Sequence, residues 1–190
     1  MAQTEDEERN VVMKEILTEW RKYINENSQG EPQKFPESIY YAIPASELDS
    51  VRDNGIVNMP TPEDAQHLKM GVPTCDSIQG AMKHGDVVLE ISGQYLNESG
   101  QYVCNPNSTG HRVTMSDSSY SSGSGIDAMV DQLGTNIPFT AVKSMTFSRK
   151  PNIEKLKNSG FAGVELALLP ADNTSAEPQT LYTPEEEHMQ

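Results

Sequence analysis

Residues 39–65 read IYYAIPASELDSVRDNGIVNMPTPEDA, and this segment carries most of the information about the architecture. Its opening residues are mainly β-branched or aromatic, which predicts a short buried strand that ends at a proline. Ser46 and Asp49 have the spacing of a helix cap, and Gly55 after an asparagine is a typical helix end. Ile56–Met59 predicts a second strand. The segment therefore indicates a strand, a short helix and another strand.

The rest of the chain continues this alternation of short strands and short helices. Val87–Ile91 reads VVLEI and is the clearest strand, and its apolar composition predicts a central place in a sheet. Two further strands are predicted at Gln101–Cys104 and His111–Met115. Phe139–Phe147 and Phe161–Leu169 are predicted strands, and Pro151, a short helix and Gly160 lie between them. This order of strand, proline, helix, glycine and strand repeats that of residues 39–59. The pattern predicts an α+β domain with one core.

The N-terminal segment, 1–31, has the pattern of an amphipathic helix. Thr4 and Glu7 have the spacing of a capping box, and Trp20 lies on the apolar stripe that follows. We expect the tryptophan to pack against a core or a docking surface. The apolar positions of this stripe are Val12, Ile16, Leu17, Trp20 and Ile24.

The net charge of −14 comes mainly from the two ends of the chain. Residues 1–31 hold eight acids against four bases, and residues 170–190 hold five acids and neither Lys nor Arg. The segment between them, 32–169, carries only −5, from fifteen acids and ten bases. We therefore predict an N-terminal helix with its linker, an α+β core over 32–169, and an acidic disordered tail over 170–190.

Charge and composition also disfavour several classes of function. An acidic chain repels a phosphate backbone, so general nucleic-acid binding is not expected, although this reasoning does not extend to a short basic patch that forms only in the folded chain. No basic leader or apolar run of membrane-spanning length is visible, and we expect a cytoplasmic protein without a membrane segment. Cys75 and Cys104 lack the spacing of a metal site, which favours free buried thiols over a disulfide or a reactive thiol.

Residues 39–96 resemble the ADP-ribosyltransferase superfamily, and within it the RNA 2′-phosphotransferase-like branch. Three pieces carry the resemblance: IYYAIPASELDSVRDNGI from residue 39, TPEDA from residue 61 and HGDVVLEISGQYL from residue 84. The resemblance implies a split mixed β-sheet flanked by short helices, with NAD as the cofactor in a cleft. It also implies that nicotinamide departs and that an acceptor attacks the cationic ribose.

The resemblance places Tyr40, Tyr41 and Ala42 at the first-strand positions that bind the cofactor. For the two tyrosines, the alternative is that they are strand residues packed against neighbouring helices. The family's Tyr-His-Gly-Thr pattern has Tyr41 in place of histidine here, and Asn58 or its neighbour Val57 stands where a tyrosine is usual. No residue is assigned a catalytic role, which indicates a degenerate member of the family.

Two hypotheses of function follow. The first is an ADP-ribosyltransferase-like domain that binds NAD or an ADP-ribosyl ligand; if active, it would be an NAD-dependent ADP-ribosyl- or 2′-phosphotransferase. The second is a non-enzymatic acidic protein that contacts or inhibits a basic protein partner through its charged ends.

Two charged residues allow a structural and a functional interpretation. Glu90 within VVLEI is interpreted as an exposed strand residue or as a catalytic acid with a shifted pKa. Arg112 beside His111 is read as a loop charge or as a phosphate contact.

Overall fold

The computed structural model describes residues 33–58, 71–107, 110–116, 134–169 and 177–184. The strands in this part of the chain are β1 (Ser38–Ile43), β2 (Ile56–Asn58), β3 (Val72–Pro73), β4 (Val87–Ser92), β5 (Tyr102–Asn107), β6 (Gly110–Met115), β7 (Thr135–Ile137), β8 (Val142–Phe147), β9 (Glu165–Leu168) and β10 (Gln179–Tyr182). The α-helices are α1 (Leu48–Asn54), α2 (Ile78–Ala81), α3 (Gly93–Ser99) and α4 (Ile153–Leu156). Short 3-10 turns lie at Ala45–Glu47 and Phe139–Ala141, and a π-turn at Lys157–Phe161.

The largest sheet has five strands in the order β1-β4-β8-β9-β10. Its strands are antiparallel except for the parallel pair β8 and β9, so the sheet is mixed. Smaller sheets are formed by β2-β7 and by β3-β6-β5. The predicted α+β class, with a mixed sheet and a few short helices, is confirmed.

An isolated β-bridge joins the five-stranded sheet to the three-stranded one. The Tyr40 amide donates to the Cys75 carbonyl at 3.0 Å, and the Cys75 amide donates to the Tyr40 carbonyl at 2.8 Å. Cys75 follows β3 by two residues, and Tyr40 lies in β1, which is an edge strand of the five-stranded sheet. The edge of the large sheet is therefore partly covered by the chain that leaves the small one.

The core lies on one face of the five-stranded sheet. Alternate residues of β1, β4 and β8 point to this face because side chains alternate along a strand. The same apolar cluster receives side chains from the two smaller sheets, so the described elements share one core. The sheet residues that are almost fully buried in it include Ile39, Ile43, Leu89, Ile91, Met145 and Leu166.

Several predicted boundaries need correction. The strand predicted from Phe139 begins only at Val142, because the turn after Pro138 is closed by a hydrogen bond from the Ala141 amide to the Pro138 carbonyl. The last predicted strand begins at Glu165 and not at Phe161, which still belongs to the π-turn.

The cap predicted for α1 is also absent. Ser46 lies inside a 3-10 turn, and the Asp49 carboxylate instead pairs with Arg52 at 2.9 Å. The positive φ of 77° at Gly55 agrees with the predicted helix end. Glycine is favoured at this position because other side chains are strained at positive φ.

Strand β10 corrects the prediction for the C-terminal segment. It lies within 170–190, for which disorder was expected, and it pairs antiparallel with β9. The acidic composition misled the prediction because Tyr182 packs against the core despite its polar neighbours. The predicted N-terminal helix with Trp20, and the TPEDA piece, lie outside the described residues.

Among the described residues, no helix has the length and the apolar character needed to cross a bilayer.

Candidate functional site

The structure separates the two tyrosines that the sequence singles out. Tyr40 and Ala42 point to the face covered by α2, where they pack against a small cluster around Cys75, whereas Tyr41 points to the main core. All three residues are half-buried. Burial raises the pKa of both phenols, and the charge of Glu90 raises that of Tyr40 further, so both phenols are neutral. A ligand on one face of the sheet would meet only one of the rings.

A polar cluster lies beside Tyr40 on the same face of the sheet. Strand register places Tyr40 opposite Glu90, and Glu90 opposite Ser144 on the next strand. One Glu90 carboxylate oxygen accepts a hydrogen bond from the Ser38 hydroxyl at 2.5 Å, and the other accepts one from the Ser144 hydroxyl at 2.6 Å. We call Ser38, Tyr40, Glu90, Lys143 and Ser144 the Glu90 cluster.

Lys143 completes the Glu90 cluster from strand β8. Its ammonium group lies 3.4 Å from a Glu90 oxygen and donates a hydrogen bond to the Ser38 hydroxyl at 3.2 Å. Burial alone would raise the pKa of Glu90, but hydrogen bonds from Ser144 and Ser38 and the charge of Lys143 outweigh it and lower the pKa. The side chain of Glu90 is 22% exposed, so an ionised carboxylate is held at the surface of an internal strand.

Glu90 is half-buried on an internal strand, so the interpretation as an exposed strand residue is only partly right, and the lowered pKa argues against the interpretation as a catalytic acid. A general acid at neutral pH needs a raised pKa, whereas the pKa of this carboxyl is lowered. The carboxylate can accept hydrogen bonds from a ligand or stabilise positive charge. Sequence reasoning did not find its partners Ser38, Lys143 and Ser144. Alternation along β1 would put Ser38 on the same face as Tyr40, but only the register between β4 and β8 brings Ser144 to Glu90.

Arg112 is held within the three-stranded sheet. Its guanidinium donates to the Gly71 carbonyl at 3.1 Å, and its side chain is half-buried. The neighbouring His111 ring lies 2.8 Å from the Asp76 carboxylate. Ser77, the next residue, caps α2 by accepting a hydrogen bond from the Gly80 amide. The predicted loop charge is wrong, because Arg112 is half-buried on strand β6, and its contact with Gly71 favours a structural role over a phosphate contact.

A cleft of about 260 Å³ opens between the start of α1, the end of β8 and α4. We call it the α1–α4 cleft. Its apolar lining includes Leu48, Phe147, Leu156 and Phe161, and its polar lining includes Arg149 and Lys155. The sequence did not single out these residues, because the cleft combines segments that lie far apart along the chain.

The two cysteines are free and buried, which confirms that part of the prediction. Burial, with a smaller effect of the Asp76 charge, raises the pKa of both thiols, and it raises that of Cys104 to about 11. Neither thiol is therefore activated as a nucleophile. The described residues contain no group of His, Cys, Asp and Glu that could hold a metal ion.

Comparison with known proteins gives no match to a family model, to a curated protein or to a solved structure.

Proposed function

We propose that this chain is an ADP-ribosyltransferase-like domain that binds NAD or a related ADP-ribosyl ligand and lacks the family's usual catalytic groups. The observation that carries the proposal is the ionised Glu90 beside Tyr40 on an internal strand. The first-strand segment that resembles the family supplies Tyr40, and the segment that resembles its central strand supplies Glu90. The Glu90 cluster therefore unites two of the three pieces on which the resemblance rests.

The chemistry of the Glu90 cluster suits a ribose. Ribose hydroxyls are donors, and an ionised carboxylate accepts hydrogen bonds that are stronger than those between neutral groups. A ribose would share Glu90 with the Ser38 and Ser144 hydroxyls or displace them. The half-buried ring of Tyr40 offers an apolar contact beside it, and the Lys143 ammonium group offers a charge for a phosphate.

The same residues explain why we propose binding without the usual reaction. Tyr41 stands where the family has a histidine, and it points to the opposite face from Glu90. Glu90 is shielded by two hydroxyls and an ammonium group, which reduces its power to stabilise a ribosyl cation. Contacts that hold substrate and transition state equally do not accelerate a reaction.

Thermal unfolding in the presence of NAD or ADP-ribose tests the proposal. A ligand at about 100 times its dissociation constant should stabilise the fold by about 2.7 kcal/mol. Glu90→Gln and Tyr40→Leu should each reduce this shift, measured against the unliganded form of the same variant. Tyr95→Leu is the matched control, because Tyr95 is 37% exposed and lies outside the cluster.

The absence of a shift at millimolar concentrations of either ligand would contradict the proposal. It would favour the alternative of an acidic interaction protein with a basic protein partner, for which the eight acids of residues 1–31 supply the charge. An equal shift in wild type, Glu90→Gln and Tyr40→Leu would also contradict the assignment, because the ligand would then bind elsewhere.

A further inference from the structure

The α1–α4 cleft combines an apolar floor with two positive charges. Phe147 and Phe161 are fixed by the core and are only 5% and 1% exposed, so the half-buried side chains of Leu48 and Leu156 supply most of the open apolar surface. Phe161 is held further by edge-to-face contact with Phe139, whose ring centroid is 5.5 Å away. The floor is therefore a rigid apolar surface that needs little rearrangement to receive a flat group.

Arg149 and Lys155 line the rim of this cleft. Within the described part of the chain, neither side chain forms an ion pair or a hydrogen bond, and both are exposed. Their charges are therefore not neutralised by these residues. Arginine in particular can bind a phosphate through two parallel hydrogen bonds.

The acidic residue of the cleft is already paired. Asp49 lies 2.9 Å from a guanidinium nitrogen of Arg52, which also donates to the Ser159 carbonyl and stacks over Phe161 at 5.6 Å. The same guanidinium also pairs with Asp53 at 2.8 Å, so its charge is shared between two carboxylates. Among the side chains that line the cleft, Arg149 and Lys155 stand against the carboxylate of Asp49, which leaves an excess of one positive charge. This is a basic patch made by the fold, in a chain whose net charge is −14.

We infer that the α1–α4 cleft binds a small organic phosphate with a flat apolar group, of the size of a nucleoside monophosphate. The volume of about 260 Å³ lies just below the range of roughly 300–1,000 Å³ that is typical of sites for larger ligands. A whole dinucleotide would therefore extend beyond the cleft. In the complex, the base lies against Leu48 and Leu156, and the phosphate contacts Arg149 and Lys155.

This inference is independent of the proposed function, because it uses none of the residues of the Glu90 cluster. Isothermal titration with AMP, adenosine and inorganic phosphate tests it. We expect AMP to bind more tightly than either adenosine or phosphate, because only AMP meets both the floor and the rim. The variant Arg149→Gln/Lys155→Gln should weaken AMP binding by about tenfold or more, whereas adenosine binding should change little.

Lys150→Gln is the matched control, because Lys150 adjoins Arg149 and is exposed but does not line the cleft. It should leave AMP binding within about twofold of wild type, since exposed charges outside a site contribute little. The inference is overturned if AMP does not bind at millimolar concentration, or if it binds equally to wild type and the double variant. Loss of AMP binding in Glu90→Gln alone would assign the nucleotide to the Glu90 cluster and would also overturn it.

Discussion

Gly93 shows how the absence of one side chain fixes the start of a helix. A Cβ atom at this position would lie 1.6 Å from the Pro36 carbonyl oxygen, and the Gly93 amide donates to the Glu37 carbonyl at 2.9 Å. We predict that Gly93→Ala lowers the free energy of unfolding by about 2 kcal/mol or more, because the backbone at residue 93 must move away from the backbone of Pro36. Urea unfolding measures this loss.

The matched control for this substitution is Gly163→Ala. A Cβ atom at Gly163 meets no atom within 4 Å, so the free energy of unfolding should change by no more than about 0.5 kcal/mol. Equal effects of the two substitutions would contradict the close packing of α3 against the segment before β1.

Glu90 gives a prediction for the dependence of stability on pH. Its pKa in the folded protein is lower than the ordinary value of 4.5, so its ionised form stabilises the fold above that value. The contribution is lost as the pH falls through the lower folded pKa. We expect Glu90→Gln to be less stable than wild type by about 1–2 kcal/mol at neutral pH, and the difference to narrow in acid.

Urea unfolding of both proteins at neutral and acidic pH measures this difference. Glu98→Gln is the control, because Glu98 is an exposed carboxylate that accepts a hydrogen bond from Gln94 on its own helix. It should change the stability by less than about 0.5 kcal/mol. A gap between wild type and Glu90→Gln that widens in acid would contradict the assigned direction of the pKa shift.

At the scale of elements, β10 makes a prediction about truncation. The Tyr182 hydroxyl donates to the Ala162 carbonyl at 2.8 Å, and the Lys157 ammonium group lies 4.9 Å from its ring centre. Removal of residues 170–190 would break these contacts and leave β9 as an unpaired edge. We expect a loss of about 2 kcal/mol or more from the apolar contacts of β10, with increased aggregation.

Thermal unfolding and light scattering measure both effects. The control truncation removes only residues 185–190, which include three glutamates but none of β10. It should retain the melting temperature of the full chain to within a few degrees, or roughly 1 kcal/mol. If both truncations behave alike, β10 does not contribute to the fold.

The elements that the sequence predicts well are those with a strong local pattern. Strand β4 is such a case, because four of the five residues in VVLEI are apolar and an internal strand is buried on both faces. Strand β7 has only three residues, which is too short for a period to appear, and β10 lies in a polar segment. Their pairing with β2 and β9 decides that they are strands, and pairing is not a local property.

At the scale of the whole molecule, the candidate sites also could not be predicted from local sequence patterns. Tyr40 could be singled out from its sequence motif, but its position beside Glu90 depends on the register of two strands that are distant in the chain. The α1–α4 cleft brings Leu48 to Phe147 and Lys155, which no spacing in the sequence relates. The net charge of −14 also gives no indication that two basic side chains, Arg149 and Lys155, line this cleft.

The strand order of the large sheet also has a kinetic consequence. In this sheet β1 pairs with β4, and Ser38 lies opposite Ser92. The chain must therefore close a long loop before these two strands can form hydrogen bonds with each other. Chains dominated by such distant pairings fold in roughly milliseconds to seconds, far more slowly than helical bundles. Refolding from denaturant should therefore be slow enough to follow by stopped-flow fluorescence.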